Sequence, residues 1–270
     1  MAPILYYSLM LVLAAIHMVP VIWVLSSSFR TNVNMYNPSQ WIPNPATTEH
    51  YTNLFVYVPD MGRYLFNTVR IAGLSTIGTL LSCSMAAYAL ARLQFPGRKT
   101  MIIILLLTMM IPAHVTLVPV YVMFRVLGWI NTPLPFIVPA FFGGAFSTFF
   151  FRQFFLSIPR ELEDAALVDG AGRVRIYWSI IVPLSMPAFA TMGLLSLITG
   201  WNAFFGPSIF LQKQDQWTLT QGLNYLVGRY TAQWGEIMAG VVLMSLPIVL
   251  LYILAQRYFV EGITFTGIKA

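Results

Sequence analysis

The chain has 270 residues, 58% of them hydrophobic and 9% charged. Soluble domains carry about 25% charged residues, so this composition excludes a water-exposed globule and indicates an all-α bundle that crosses a membrane several times. The formal net charge is +6, but the basic residues sit at the ends of apolar runs, which is a pattern of membrane orientation and not of nucleic-acid binding. One cysteine, Cys83, rules out an internal disulfide or thiolate cluster, and His17, His50 and His114 lack metal-site spacing. No catalytic or metal site is expected.

A hydrocarbon core takes about 20 apolar residues of helix. Segments 5–29, 64–91, 100–124, 133–156, 179–207 and 236–260 reach that length, and together they predict a single membrane domain over 1–270 with about six spans. The first lacks a basic leader and a cleavage site, so it reads as a retained span. The second is rich in small residues (Gly73, Ser75, Gly78, Ser82, Ser84, Ala86, Ala87), which favours close helix packing. Pro20, Pro112, Pro119, Pro183, Pro187 and Pro247 lie within spans and predict kinks, since other groups must take up the carbonyls they leave free. Gly143-Gly144 suits a bent or broken fourth span.

With the N-terminus inside, nine lysines and arginines fall in cytoplasmic segments and five in outer ones, with Arg70 left inside the second span. This bias puts both termini and the 157–178 loop in the cytoplasm. The outer stretch 31–63 is stiffened by Pro38, Pro43, Pro45 and Pro59, and it carries Tyr36, Trp41, Tyr51 and Tyr57 for the lipid interface.

The run from Pro159 to Gly172 is the most charged in the chain. Pro159 suits the first turn of a helix. Glu161, Glu163 and Asp164 suit the positive end of its dipole, and Gly170 suits its close. Ile158, Leu162, Ala165 and Ala166 share one face, shallow enough for another protein to approach. The physics alone fits an amphipathic loop helix lying on the membrane as well as it fits a docking knob.

The spacing Asp164-Ala165-Ala166, three residues, Gly170, nine residues, Ile180-Ile181-Val182-Pro183 resembles the signature loop of binding-protein-dependent ABC importer permeases. That loop reads Glu-Ala-Ala, three residues, Gly, nine residues, Ile-x-Leu-Pro, so Asp164 and Val182 are conservative departures. Leu65-Phe66-Asn67-Thr68-Val69, the run from Ala86 to Arg98 with its Phe95-Pro96-Gly97 turn, Gly200-Trp201-Asn202 with Pro207, and the tail Gln256-Arg257, Gly262-Ile263-Thr264, Gly267-Ile268-Lys269 resemble further segments of the maltose-permease-like, carbohydrate-importing branch. That branch usually places an acidic or amide residue where this chain has Ala203.

The resemblance implies an inner-membrane permease subunit of a bacterial or archaeal cell, without covalent chemistry of its own. It implies a pathway formed with a second, homologous permease for a sugar or oligosaccharide. An extracytoplasmic binding protein delivers the sugar, and two ATPases, which hold ATP and Mg, drive its import. It also implies that Ile158, Leu162, Glu163, Asp164, Ala165, Ala166, Asp169 and Gly170 serve ATPase coupling. A glycerol-phosphate or other acidic saccharide is an alternative substrate. A proton-coupled carrier would need carboxylates deep in a span, and none is there; an intramembrane enzyme would need a nucleophile and base, which the sequence does not offer.

Four residues are candidates for the substrate pathway, each with a plainer reading beside it. Arg70 faces a cavity or snorkels to the outer interface. Trp201 and Asn202 stack on and bond a sugar, or serve as an interfacial tryptophan and a packing asparagine. Asn67 lines the pathway or bonds a neighbouring backbone.

Overall fold

The computed structural model describes residues 2–35, 40–112, 114–229 and 233–267. Tyr36 and Pro38 of the outer stretch and Ile268 and Lys269 of the tail lie outside the described residues. The regular structure is helical, and the described residues form no strand beyond an isolated bridge between Arg30 and Ala46. In chain order the helices are α1 (Ala2–Ser27), α2 (Glu49–Tyr57), α3 (Met61–Arg92), α4 (Arg98–Met109), α5 (Leu117–Val126), α6 (Leu134–Ala140), α7 (Ala145–Ser157), α8 (Glu161–Val168), α9 (Arg173–Ile176), α10 (Val182–Leu184), α11 (Met186–Trp201), α12 (Phe205–Phe210), α13 (Leu219–Arg229) and α14 (Trp234–Gly267). A π turn, Tyr177–Ile181, joins α9 to α10.

The predicted spans are retained unevenly. Ile4–Ser27, Met61–Arg92, Leu134–Ser157 and Trp234–Leu254 are long and apolar enough to cross a membrane. The predicted third span, 100–124, is not one helix: α4 stops at Met109 and α5 begins at Leu117. Pro112 has no N–H to continue the helix and disfavours helical geometry in the residue before it. Pro119 is harmless in the first turn of α5, where N–H groups have no partner within the helix.

The predicted fourth span breaks between α6 and α7, at Gly143 with φ +96°. The predicted fifth begins earlier than expected and bends by 78° between Arg173–Leu184 and Met186–Trp201. Two prolines four residues apart explain the bend. The Pro183 ring crowds the carbonyl one turn back, where the π turn opens, and Pro187 removes the N–H that would have bonded to Pro183.

The chain forms two compact units, residues 1–65 with 219–250 and residues 66–218 with 251–270. In the first, α1 is apolar around its circumference and exposed from residue 4 to residue 23, as suits a helix in lipid or against another subunit. Its interior holds a polar cluster. His50 Nδ1 lies 3.2 Å from Glu236 Oε1, the other ring nitrogen lies 2.6 Å from the Arg30 carbonyl, and the Asn53 amide donates to Glu236 Oε1 at 3.4 Å. A Cβ on Gly235 would overlap the His50 ring, so the second residue of α14 is a glycine against this cluster.

In the second unit, Cys83, Ala87 and Ala91 of α3 leave room for Phe151 and Phe155 of α7 and for Ile176, Ile181 and Met192 of the bent segment. At Gly200 a Cβ would stand 3.2 Å from the Ala72 Cα, so α11 and α3 approach backbone to backbone, as small-residue packing predicts.

Candidate functional site

The 157–178 loop is built around α8. The chain leaves α7 through Ile158, extended at φ −73° and ψ 132°, and passes Pro159 before α8 starts at Glu161. Extended geometry is what a residue before proline adopts. Pro159 therefore lies just outside the helix, not in its first turn. Glu161, Glu163 and Asp164 occupy that turn, where carboxylates complement the dipole.

At the other end Gly170 has φ +78°, its N–H bonds to the Leu167 carbonyl at 3.0 Å, and the Ala171 N–H reaches the Ala166 carbonyl at 2.9 Å. This pair of bonds around a left-handed glycine is a Schellman closure.

The inward face is anchored by charge. Glu163 is 4% exposed, and its Oε1 lies 3.0 Å from Arg92 Nε at the end of α3. Arg173 of α9 stands 3.7 Å from the other carboxylate oxygen, and the Tyr88 hydroxyl lies beside Glu163 and Arg173. Arg92 also donates to the carbonyls of Phe155 and Ile158 at the end of α7. One guanidinium thus ties three helix ends, and a buried ion pair of this kind is costly to break from one side.

The sequence places Ile158, Leu162, Ala165 and Ala166 on one outward face, but the structure divides them. Ile158 is 8% exposed within the core cluster, and Ala166 and Leu167 pack against it. Leu162 and Ala165 stay outside with Asp164 and Asp169, and Val168 joins them at 88% exposure. Glu163, expected at the coupling surface, is instead part of the fastening.

Sequence reasoning missed Val168, Arg92 and Arg173. A signal for the pair was present: Glu163 shares a helix face with Ala166 and Leu167, and a carboxylate on the apolar side calls for a cation.

The described contacts of the four pathway candidates are with separate partners. The buried Asn67 amide donates to the carbonyls of Asp215 and Trp217, at 3.1 and 3.0 Å, and so holds the loop between α12 and α13. Trp201 is buried, and Asn202 donates to the Ile198 carbonyl at 3.0 Å, closing α11. The Arg70 guanidinium sits 5.7 Å from the centre of the Phe66 ring.

A cavity of about 570 Å³ opens elsewhere in the second unit, between α3, α6, α7 and α11. Ser75, Thr79, Ser147, Ser196 and Thr199 give it hydroxyls, Phe136 and Phe146 give it rings, and none of the residues lining it is charged. The Thr199 hydroxyl donates to its own helix and Ser196 takes one from Thr76, which leaves oxygen lone pairs for a guest.

The fold and the site define a helical membrane bundle with a firmly fastened loop helix between apolar segments. Residues 61–265 match the family described as the binding-protein-dependent transport system inner membrane component, and the chain belongs to it. The chain is 32% identical over 260 residues to the arabinooligosaccharides transport system permease protein AraQ of Halalkalibacterium halodurans, covering 95% of this chain and 93% of that one. It is 30% identical to the diacetylchitobiose uptake system permease protein NgcG of Streptomyces coelicolor, covering 93% and 84%. It is 32% identical to the sn-glycerol-3-phosphate transport system permease protein UgpE of Yersinia enterocolitica, covering 75% and 72%. Its fold matches a chain in the crystal structure of a bacterial ABC transporter involved in import of the acidic polysaccharide alginate, with a TM-score of 0.82, 24% identity and coverage of 95% and 96%.

Proposed function

We propose that this chain is the permease subunit of an ATP-driven importer of a neutral sugar or oligosaccharide. It encloses the pathway with a second, homologous permease. Two ATPases, which hold ATP and Mg, dock on the outward face of α8, and a binding protein delivers substrate from the other side. Both termini and α8 lie in the cytoplasm. The chain carries out no covalent step. Its work is to transmit closure of the ATPases through α8 into α3 and α7.

The observation that carries the substrate reading is the cavity between α3, α6, α7 and α11. Hydroxyls beside phenylalanine rings, without a charged group, match the bonding and apolar faces of an uncharged sugar. A phosphorylated or sulfonated substrate would call for an arginine or lysine, and Arg70 is not among the residues lining the cavity. The sugar permeases AraQ and NgcG among the relatives agree with this reading.

The test reconstitutes the chain with its co-purifying partners in liposomes and compares ATP-dependent uptake of neutral oligosaccharides with uptake of glycerol phosphate. Ser147→Trp, which fills the cavity, should abolish uptake and leave ATPase co-purification intact. Uptake of the anionic substrate alone would overturn the neutral-sugar reading. For orientation, a cysteine at exposed Val174 in a Cys83→Ser background should react with an impermeant thiol reagent after lysis only; labelling of intact cells would reject the topology.

A further inference from the structure

A second recess, of about 560 Å³, lies where α3 turns into α4 beside α7. Arg98, Lys99 and Arg152 line it with Gln94, Thr100 and Ile102. The Arg98 and Arg152 guanidiniums converge on one oxygen. Arg98 Nε donates to the Leu90 carbonyl at 2.9 Å, and Arg152 Nε reaches the same carbonyl at 3.3 Å. A second Arg98 nitrogen bonds the Ala91 carbonyl at 3.0 Å. These bonds close the carboxyl end of α3, where carbonyls lack partners within the helix. They also hold two like charges together, with Lys99 exposed beside them.

Among the described residues no carboxylate pairs with any of the three; the ion pairs there engage Arg63, Arg92, Arg173 and His50. Gathered cations without a counter-charge make a site for an anion. The amino end of α4, capped by Gly97 at φ +85°, opens at the same place and adds the favourable end of a helix dipole.

The surroundings indicate what kind of anion. Ile102 lines the recess, and no residue of α4 is buried; Met101, Ile103, Ile104 and Leu107 are all exposed along it. A charged recess that continues into an exposed apolar helix matches a molecule with an anionic head and hydrocarbon tails. We propose that the Arg98–Lys99–Arg152 recess binds the phosphate group of an acidic phospholipid, whose acyl chains lie along α4. The bound lipid neutralises the junction of α3, α4 and α7, the same end of α3 from which Arg92 holds α8.

The test places the full chain, with its co-purifying partners, in phosphatidylcholine nanodiscs with and without phosphatidylglycerol. Mass spectrometry then counts the lipid retained after delipidation. Wild-type protein should retain phosphatidylglycerol in preference to phosphatidylcholine. Lys99→Gln and Arg152→Gln should each weaken that retention roughly five-fold, the effect of one basic charge near a membrane surface. Arg152→Lys should keep most of it, because the charge binds the lipid and the bond to Leu90 does not. Lys99 is exposed and spends no bond on the fold, so its variant stays informative if an arginine variant fails to assemble. Arg63→Gln, at an exposed pair outside the recess, should change nothing. Equal retention by wild type and the Lys99→Gln/Arg152→Gln double variant would overturn the proposal. So would displacement of phosphatidylglycerol by inorganic phosphate but not by chloride at matched ionic strength, since the site would then hold a soluble anion.

Discussion

Arg92 and Glu163 meet at 3.0 Å, Nε to Oε1, with both side chains almost wholly enclosed. One ends α3 and the other lies in the first turn of α8, so a long apolar helix and the helix proposed to serve coupling share a buried charge pair. Arg92 also holds the last carbonyls of α7. Under the proposed function, this shared guanidinium is the direct route from α8 into both helices.

Removing one partner strands the other charge in the core. Glu163→Ala and Arg92→Met should each destabilise the protein by about 3–5 kcal/mol. The double variant Arg92→Met/Glu163→Leu should lose less than either single one, since no unpaired charge remains. Thermal unfolding in detergent, followed with ATPase co-purification, checks the order. A double variant that loses the sum of the two single losses would show that the pair is not coupled.

Ala165 and Ala166 are adjacent but should fail differently. Ala165→Arg puts a long cation on the outward face, so ATPase co-purification should be lost while folding and membrane insertion are kept. Ala166→Arg drives the same side chain into the cluster of Ile158 and Phe155, so insertion or thermal stability should fall first, by several kcal/mol. The measurements are yield of folded protein by size exclusion and the ratio of bound ATPase to permease.

Gly170 has space around it but positive φ. Gly170→Val should cost about 1–2 kcal/mol of backbone strain and turn the exit from α8. Gly170→Asn should be milder, because asparagine tolerates the left-handed region. ATP turnover stimulated by the loaded binding protein should follow the order glycine, asparagine, valine. Equal loss for asparagine and valine would point to a steric cause instead.

Gly235 tests the polar cluster of the first unit. Gly235→Ala should destabilise by about 1–3 kcal/mol through overpacking against the His50 ring. Adding His50→Ala removes the obstacle, so the second substitution should cost less in the Gly235→Ala background than in the wild type. A double-mutant cycle of thermal stability reads this directly.

Much of the protein is legible along the chain because hydropathy, capping and spacing act over a few neighbouring residues. The sparse charge and long apolar runs determine a helical membrane protein. The spacing from Asp164 to Pro183 determines the family, and Gly170 determines where α8 stops. Gly143-Gly144, Pro112 and the Pro183–Pro187 pair mark where helices break, whereas α1 and α14 run on through Pro20 and Pro247, and the sequence alone does not distinguish a kinked third span from the two helices α4 and α5. Tertiary structure decided which side of each helix matters. Ile158 turns inward because Phe155 and Tyr88 offer a core there. Glu163 is buried because Arg92 arrives from the far end of α3, and Asn67 is committed because the Asp215 and Trp217 carbonyls reach it from the loop between α12 and α13. Period and propensity show that a helix has two faces, but only partners brought from distant parts of the chain select which face is buried and which is left for another protein.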